Sequence, residues 1–145
     1  MEVRYLTVEQ VQFLHDDQIK LYTPDEPLHV IDRGALESTC SRPSQTHYYE
    51  QDSDICDLAA SLGFGLAKNH VFANANKRTA AVCTHVFLQI NGYALEMGHW
   101  LLVKVFEDLA NGKVDQRCLA EILADNVRAM TDEERAEFEK LANGT

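Results

Sequence analysis

Along the chain, apolar positions recur at helical spacing in one segment after another. In "LTVEQVQFLHDDQIKLY", residues 6–22, Val8, Val11, Phe13, Leu14, Ile19 and Leu21 fall at near-helical intervals behind Thr7 and Gln10, a capping-box pair, and predict a first helix. The prolines of "TPDEPLHV" interrupt it, and Asp32 heads a short helix in "DRGALESTC". Residues 40–51, "CSRPSQTHYYEQ", are polar, contain Pro43, and set Thr46 beside the aromatic pair Tyr48 and Tyr49, which suits an exposed loop or short hairpin. Another helix is expected from Ser53 or Asp54, with Ile55, Leu58, Ala59, Leu62 and Leu66 on one face, ending just before His70.

The segment 76–91 is apolar around most of its circumference, with Ala80, Ala81, Val82, Cys83, Val86, Phe87, Leu88 and Ile90, and it stops at Asn91-Gly92. Such a helix is central and buried. Two amphipathic helices follow in "HWLLVKVFEDLANG" and "VDQRCLAEILADNVRAM", the second capped by Asp115. On these helices Trp100 and Phe106 read first as core, and His85 reads as a hydrogen-bonded core histidine. No strand periodicity stands out beyond residues 40–51. The expected fold is therefore all-α: a compact helical bundle around the 76–91 helix, one domain over 1–130, and an acidic tail or last helix over 131–145.

Composition agrees with a globular chain, 46% apolar and 25% charged over 145 residues, enough to bury a core without staples. No apolar run approaches the ~20 residues of a membrane span, and "MEVRYLTVEQ" is too polar for a signal peptide, so a cytoplasmic protein without membrane contact is expected. Cys40, Cys56, Cys83 and Cys118 are widely spaced and form no C-x-x-C pair. Buried reduced thiols are expected rather than disulfides or a structural metal.

Charge sharpens the picture. Thirteen Lys and Arg against 23 Asp and Glu leave a formal net charge of −10, which disfavours nucleic acid as a direct partner. Yet no acid occurs from Leu58 to Leu95, where Lys68, Lys77 and Arg78 surround "HVFANANKRT". That contrast points to a small anion. If a helix starts near Asn76, the first-turn amides of Ala75, Asn76, Lys77 and Arg78 lie at the positive end of the macrodipole, with Lys77 and Arg78 adding charge. His70 precedes the helix start by six residues, within reach of the same anion. Two readings stand side by side. In one, His70 is a general base for phosphoryl or nucleotidyl transfer; in the other it caps or packs a helix end while Lys77 and Arg78 are solvated cations.

"HVFANANKRTA" resembles the signature of the Fic/Doc family, and its lysine at position 77 is the Doc-like variant where Fic AMP-transferases carry glycine. "CSRPSQTHYYE", "DLAASLGFGLAKNH" and "TAAVCTHVFLQINGY" are similar to the flanks of death-on-curing toxins, extending the resemblance over about residues 5–130. The resemblance implies a Fic-type bundle with a short flap before the motif helix, ATP and Mg²⁺ as cofactors, and transfer of part of ATP to a protein hydroxyl. For Doc-type toxins the group is the γ-phosphate and the acceptor a threonine of elongation factor Tu; for typical Fic enzymes it is AMP. Carried over by position, His70 would be the base and Phe72 the buried anchor. Lys68, Ala75, Asn76, Lys77 and Arg78 would form the nucleotide site, and Thr46, His47, Tyr48 and Tyr49 the substrate flap, although that aromatic loop equally suits packing onto its own domain.

Two positions depart from the family pattern. Asn74 stands where a Mg²⁺-binding Asp or Glu is usual, so it would bind metal weakly, and a degenerate, non-catalytic Fic fold is the third alternative. Ala81 replaces the second arginine of many AMP-transferases, which favours the Doc side. The string "THYYEQ" lacks the last residue of the family's inhibitory motif. Silencing in trans by an antitoxin, helix in groove, is implied instead.

Overall fold

The computed structural model describes residues 2–143. Its helices are α1 (Val8–Tyr22), α2 (Arg33–Cys40), α3 (Arg42–Tyr49), α4 (Ile55–Lys68), α5 (Asn76–Ile90), α6 (His99–Ala110), α7 (Gln116–Asn126) and α8 (Asp132–Ala142), with two short strands, β1 (Tyr93–Leu95) and β2 (Val127–Ala129). The fold is mainly α, as the periodicity predicts. Caps explain where helices begin. Thr7 and Gln10 close a capping box on α1, Asp54 and Asp57 do so on α4, and Asp32 and Asp115 accept from Ala35 N and Cys118 N.

The expected central helix is α5. It packs most extensively on α4 and also carries α1 and α6, while α4 holds α3 and α7 on its other sides. Gly63 lets α4 approach closely: a Cβ there would come within 2.7 Å of both Phe106 Cζ on α6 and Thr84 Oγ1 on α5. Among the described residues no helix is long and apolar enough to cross a membrane. All four cysteines are free, with Cys40, Cys56 and Cys83 buried; burial pushes the Cys40 and Cys56 thiols up to about 11, which keeps them unreactive.

Three expectations need correction. Residues 40–51 form no loop or hairpin: Arg42–Tyr49 is α3, because Pro43 sits in a first helical turn, where its missing N–H costs nothing. The expected helix through Met130 ends at Asn126, and β-branched Val127 leads instead into β2, paired antiparallel with β1 as Tyr93↔Ala129, Ala94↔Arg128 and Leu95↔Val127. Of the expected tail or last helix over 131–145, the described residues Asp132–Ala142 form α8, none of them buried, and Arg128 grips both Glu134 oxygens at 2.7 and 2.8 Å. Finally, Phe106 is core, but Trp100 is 54% exposed, lying edge-on to Tyr22.

His85 is half-buried on α5, but its buried Nε2 has no hydrogen-bond partner, and His99 Nε2 on α6 is in the same position. Burial first, then the neighbouring His99, holds His85 below the usual 6.5; burial and Arg78 do the same for His99. The folded state therefore binds fewer protons than the unfolded chain, so stability is complete above the unfolded value and falls as pH drops through it. Urea midpoints should decline between about pH 7.5 and about pH 5.5, and His85→Leu should flatten that slope. An unchanged slope in the variant would contradict the assignment.

Candidate functional site

Residues 70–75, the motif loop, connect α4 to α5 and are anchored from three directions. The α1–α2 connection pairs with them: Ile31 N donates to the Val71 carbonyl at 2.9 Å and Ala73 N to the His29 carbonyl at 3.0 Å, around a bridge between Val30 and Phe72. From the other side Asn76, the first residue of α5, reaches back. Its Oδ1 accepts from Phe72 N at 3.1 Å, and its Nδ2 donates to the Phe72 carbonyl at 2.9 Å. Phe72 itself is 1% exposed and stacks on His15 of α1, ring centroids 3.7 Å apart. His15 is the third anchor, its Nε2 donating to the Asn74 carbonyl at 3.0 Å while Nδ1 stands 2.9 Å from Asp16 Oδ1.

These anchors hold two strained residues in place. Ala75, the N-cap of α5, has φ 63 and ψ 27, the left-handed region that costs a residue with a Cβ ~1–2 kcal/mol, and His70 has φ 46. With Ala75 in that conformation no side chain caps α5. The helix start therefore keeps its amides and the positive end of its dipole for a ligand. Exposed Lys77 lies on the first turn, exposed Lys68 ends α4, and exposed His70 opens the loop.

Arg78 behaves differently from the other two cations. Only 14% exposed, it points to the α1–α2 connection, its Nη2 lying 3.1 Å from Thr23 Oγ1 and 3.4 Å from Glu26 Oε1. Asn74 meets the same carboxylate. With its nitrogen turned towards Glu26, the amide donates to Glu26 Oε2 at 3.2 Å and to the Ala73 carbonyl at 3.0 Å.

The structure thus gathers Asn74, Ala75, Asn76, Lys77 and Arg78 at one helix start, with His70 and Phe72 in the loop that leads to it and Lys68 just before. It does not bring Thr46, His47, Tyr48 and Tyr49 there. They lie on α3, which runs antiparallel to α4: Arg42 bonds the Ser61 carbonyl, whereas Thr46 and Glu50 line a cleft with Asp57 near the start of α4. His47 contacts the Tyr5 hydroxyl at 2.9 Å, and Tyr48 and Tyr49 are exposed. Most of the length of α4, on the order of 20 Å, separates them from His70. The segment that borders the motif is 23–31 instead. His15, Thr23 and Glu26 escaped the sequence reading because each lies more than 45 residues before its motif partner; the one local signal was the polar "HDD" on an otherwise apolar-patterned helix.

The site is an uncapped helix start with an exposed histidine on the loop before it, and the chain's sequence is similar to known proteins over the same region. A sequence model described as the Fic/DOC family matches residues 5–88, from the segment before α1 into the last turn of α5, and the chain belongs to that family. It is 31% identical over 90 residues to protein kinase doc of Escherichia phage P1, covering 62% of this chain and 70% of that protein. It is 37% identical over 92 residues to toxin Doc of Mycolicibacterium smegmatis, covering 63% of this chain and 69% of that one. The family match ends well before residue 130.

Replacing Asn76 with Ala removes both partners of the Phe72 backbone at once. Asn76→Ala should destabilise the fold by about 1–3 kcal/mol and strip amide-exchange protection from Phe72. Unfolding curves with hydrogen exchange check this; full protection in the variant would show that the loop closes without Asn76.

Proposed function

We propose that the chain is a Doc-like toxin that transfers the γ-phosphate of ATP to a threonine hydroxyl of a translation factor such as elongation factor Tu, arresting protein synthesis. The observation that carries this reading is the pairing of an uncapped α5 start, which carries Lys77 and Arg78 in its first turn, with an exposed His70 at the opening of the loop that leads into it. In the reaction the acceptor hydroxyl loses its proton to the His70 imidazole as its oxygen bonds the γ-phosphorus. The bond from that phosphorus to the bridging oxygen breaks, and ADP leaves. The α5 amides, Lys77 and Arg78 hold the polyphosphate chain, with Lys68 within the same electropositive stretch. Asn76 and Phe72 keep the loop in shape without touching the reacting atoms.

The donors at the motif suit Mg²⁺ in kind. Among the described residues no group of three His, Cys, Asp or Glu is gathered, so the ion would draw on the Asn74 amide oxygen and phosphate oxygens, as this hard cation commonly does. Bound there, it supplies charge neutralisation for the transferring phosphoryl group. Lys77 and the absence of a second arginine at Ala81 favour phosphate over AMP as the group transferred. An antitoxin acting in trans fits the similarity to Doc toxins.

Intact-mass analysis of elongation factor Tu, incubated with the protein, ATP and Mg²⁺, tests the reading. One added phosphate is expected, and His70→Ala should lower its rate ~10²- to 10⁴-fold while the variant still folds. Addition of AMP would reassign the transferred group, and undiminished activity of His70→Ala would overturn the mechanism.

A further inference from the structure

The charge that position 74 lacks is present in the site, delivered from elsewhere in the chain. One terminal atom of the Asn74 amide lies 3.2 Å from Glu26 Oε2 and 3.0 Å from the Ala73 carbonyl oxygen. With nitrogen at that point the amide donates two hydrogen bonds. With oxygen there, the Asn74 oxygen faces both the Glu26 carboxylate and the Ala73 carbonyl with no hydrogen between them, an arrangement that repels unless a cation joins it. Adjacent ligands of an octahedral Mg²⁺, each at ~2.1 Å, stand ~3 Å apart, which matches both separations. A half-turn of one amide therefore converts a hydrogen-bonded loop into a group of hard oxygen donors.

Glu26 is placed for this use. It comes from the α1–α2 connection, outside the acid-free stretch from Leu58 to Leu95, and it is the acid that the motif's own arginine draws in, Oε1 lying 3.4 Å from Arg78 Nη2. The pair is neither sealed nor fully solvated, with Glu26 35% and Arg78 14% exposed. A guanidinium has five donors, so Arg78 can keep Glu26 on one N–H and offer others to a phosphate.

We propose that Glu26 is a metal-facing carboxylate of this site, supplying across the α1–α2 connection the negative charge that Asn74 does not carry, with the Asn74 amide turning its oxygen to the ion when Mg²⁺-nucleotide binds. The inference rests on the Mg²⁺–ATP reading above and adds a donor to it. It also gives the bridge between Val30 and Phe72 a purpose, because that pairing fixes the α1–α2 connection against the motif loop.

The test is calorimetric titration of the whole chain with ATP, with and without Mg²⁺, alongside Glu26→Gln, which keeps the size of the side chain while removing its charge and one of its two acceptor oxygens. Glu26→Gln should reduce apparent Mg²⁺ affinity in the ATP complex on the order of 10- to 100-fold while leaving metal-free ATP binding unchanged or stronger. Asn74→Asp in the Glu26→Gln background should restore the Mg²⁺ response. A Mg²⁺ response that survives Glu26→Gln would overturn this inference alone. So would an equal loss with and without metal, which would make Glu26 only an organiser of Arg78. Failure of the unaltered chain to bind ATP under either condition would overturn the nucleotide reading and this inference together.

Discussion

The site depends first on one side chain that takes both polar groups of another residue's backbone. Asn76 closes on Phe72 N–H and C=O, which fixes where the motif loop ends and where α5 begins. A side-chain amide is suited to this because it offers a donor and an acceptor side by side. Once the ring is closed, Phe72 is driven into the core against His15, Ala75 is held left-handed, and the α5 amides are left without a capping side chain. Strain of this kind persists only where neighbours over-determine it, and here the β-bridge, His15 and Asn76 do so together.

Electrostatics follows from topology. The stretch from Leu58 to Leu95 carries Lys68, Lys77 and Arg78 and no acid, so any carboxylate at the motif has to come from elsewhere in the chain. Glu26 enters from the one connection that pairs with the motif loop. In this way an acid reaches the site while the motif itself remains acid-free.

The helices were largely legible because their ends are written in local chemistry. Thr7 with Gln10, Asp32, Asp54 and Asp115 mark starts, and Asn91-Gly92, where Gly92 adopts φ 90, marks the end of the central helix. Residues 40–51 misled because proline and polar side chains look alike at a loop and at a helix start. The β1–β2 ribbon was hidden because three-residue strands are too short for alternation to show. Within the site the contiguous residues were readable and the distant ones were not. No spacing rule links His15 or Glu26 to Asn74, since their proximity is a product of helix packing and of the Val30–Phe72 bridge. The segment read as the substrate flap lies on α3, and the length of α4 stands between it and the motif.

An α5 start held open by this loop should bind a small polyanion. Amide-resolved NMR titration with inorganic pyrophosphate measures it most directly. Saturable shifts concentrated at Asn76, Lys77 and Arg78 are expected. Absence of saturation there, or shifts scattered over the surface lysines and arginines, would contradict it.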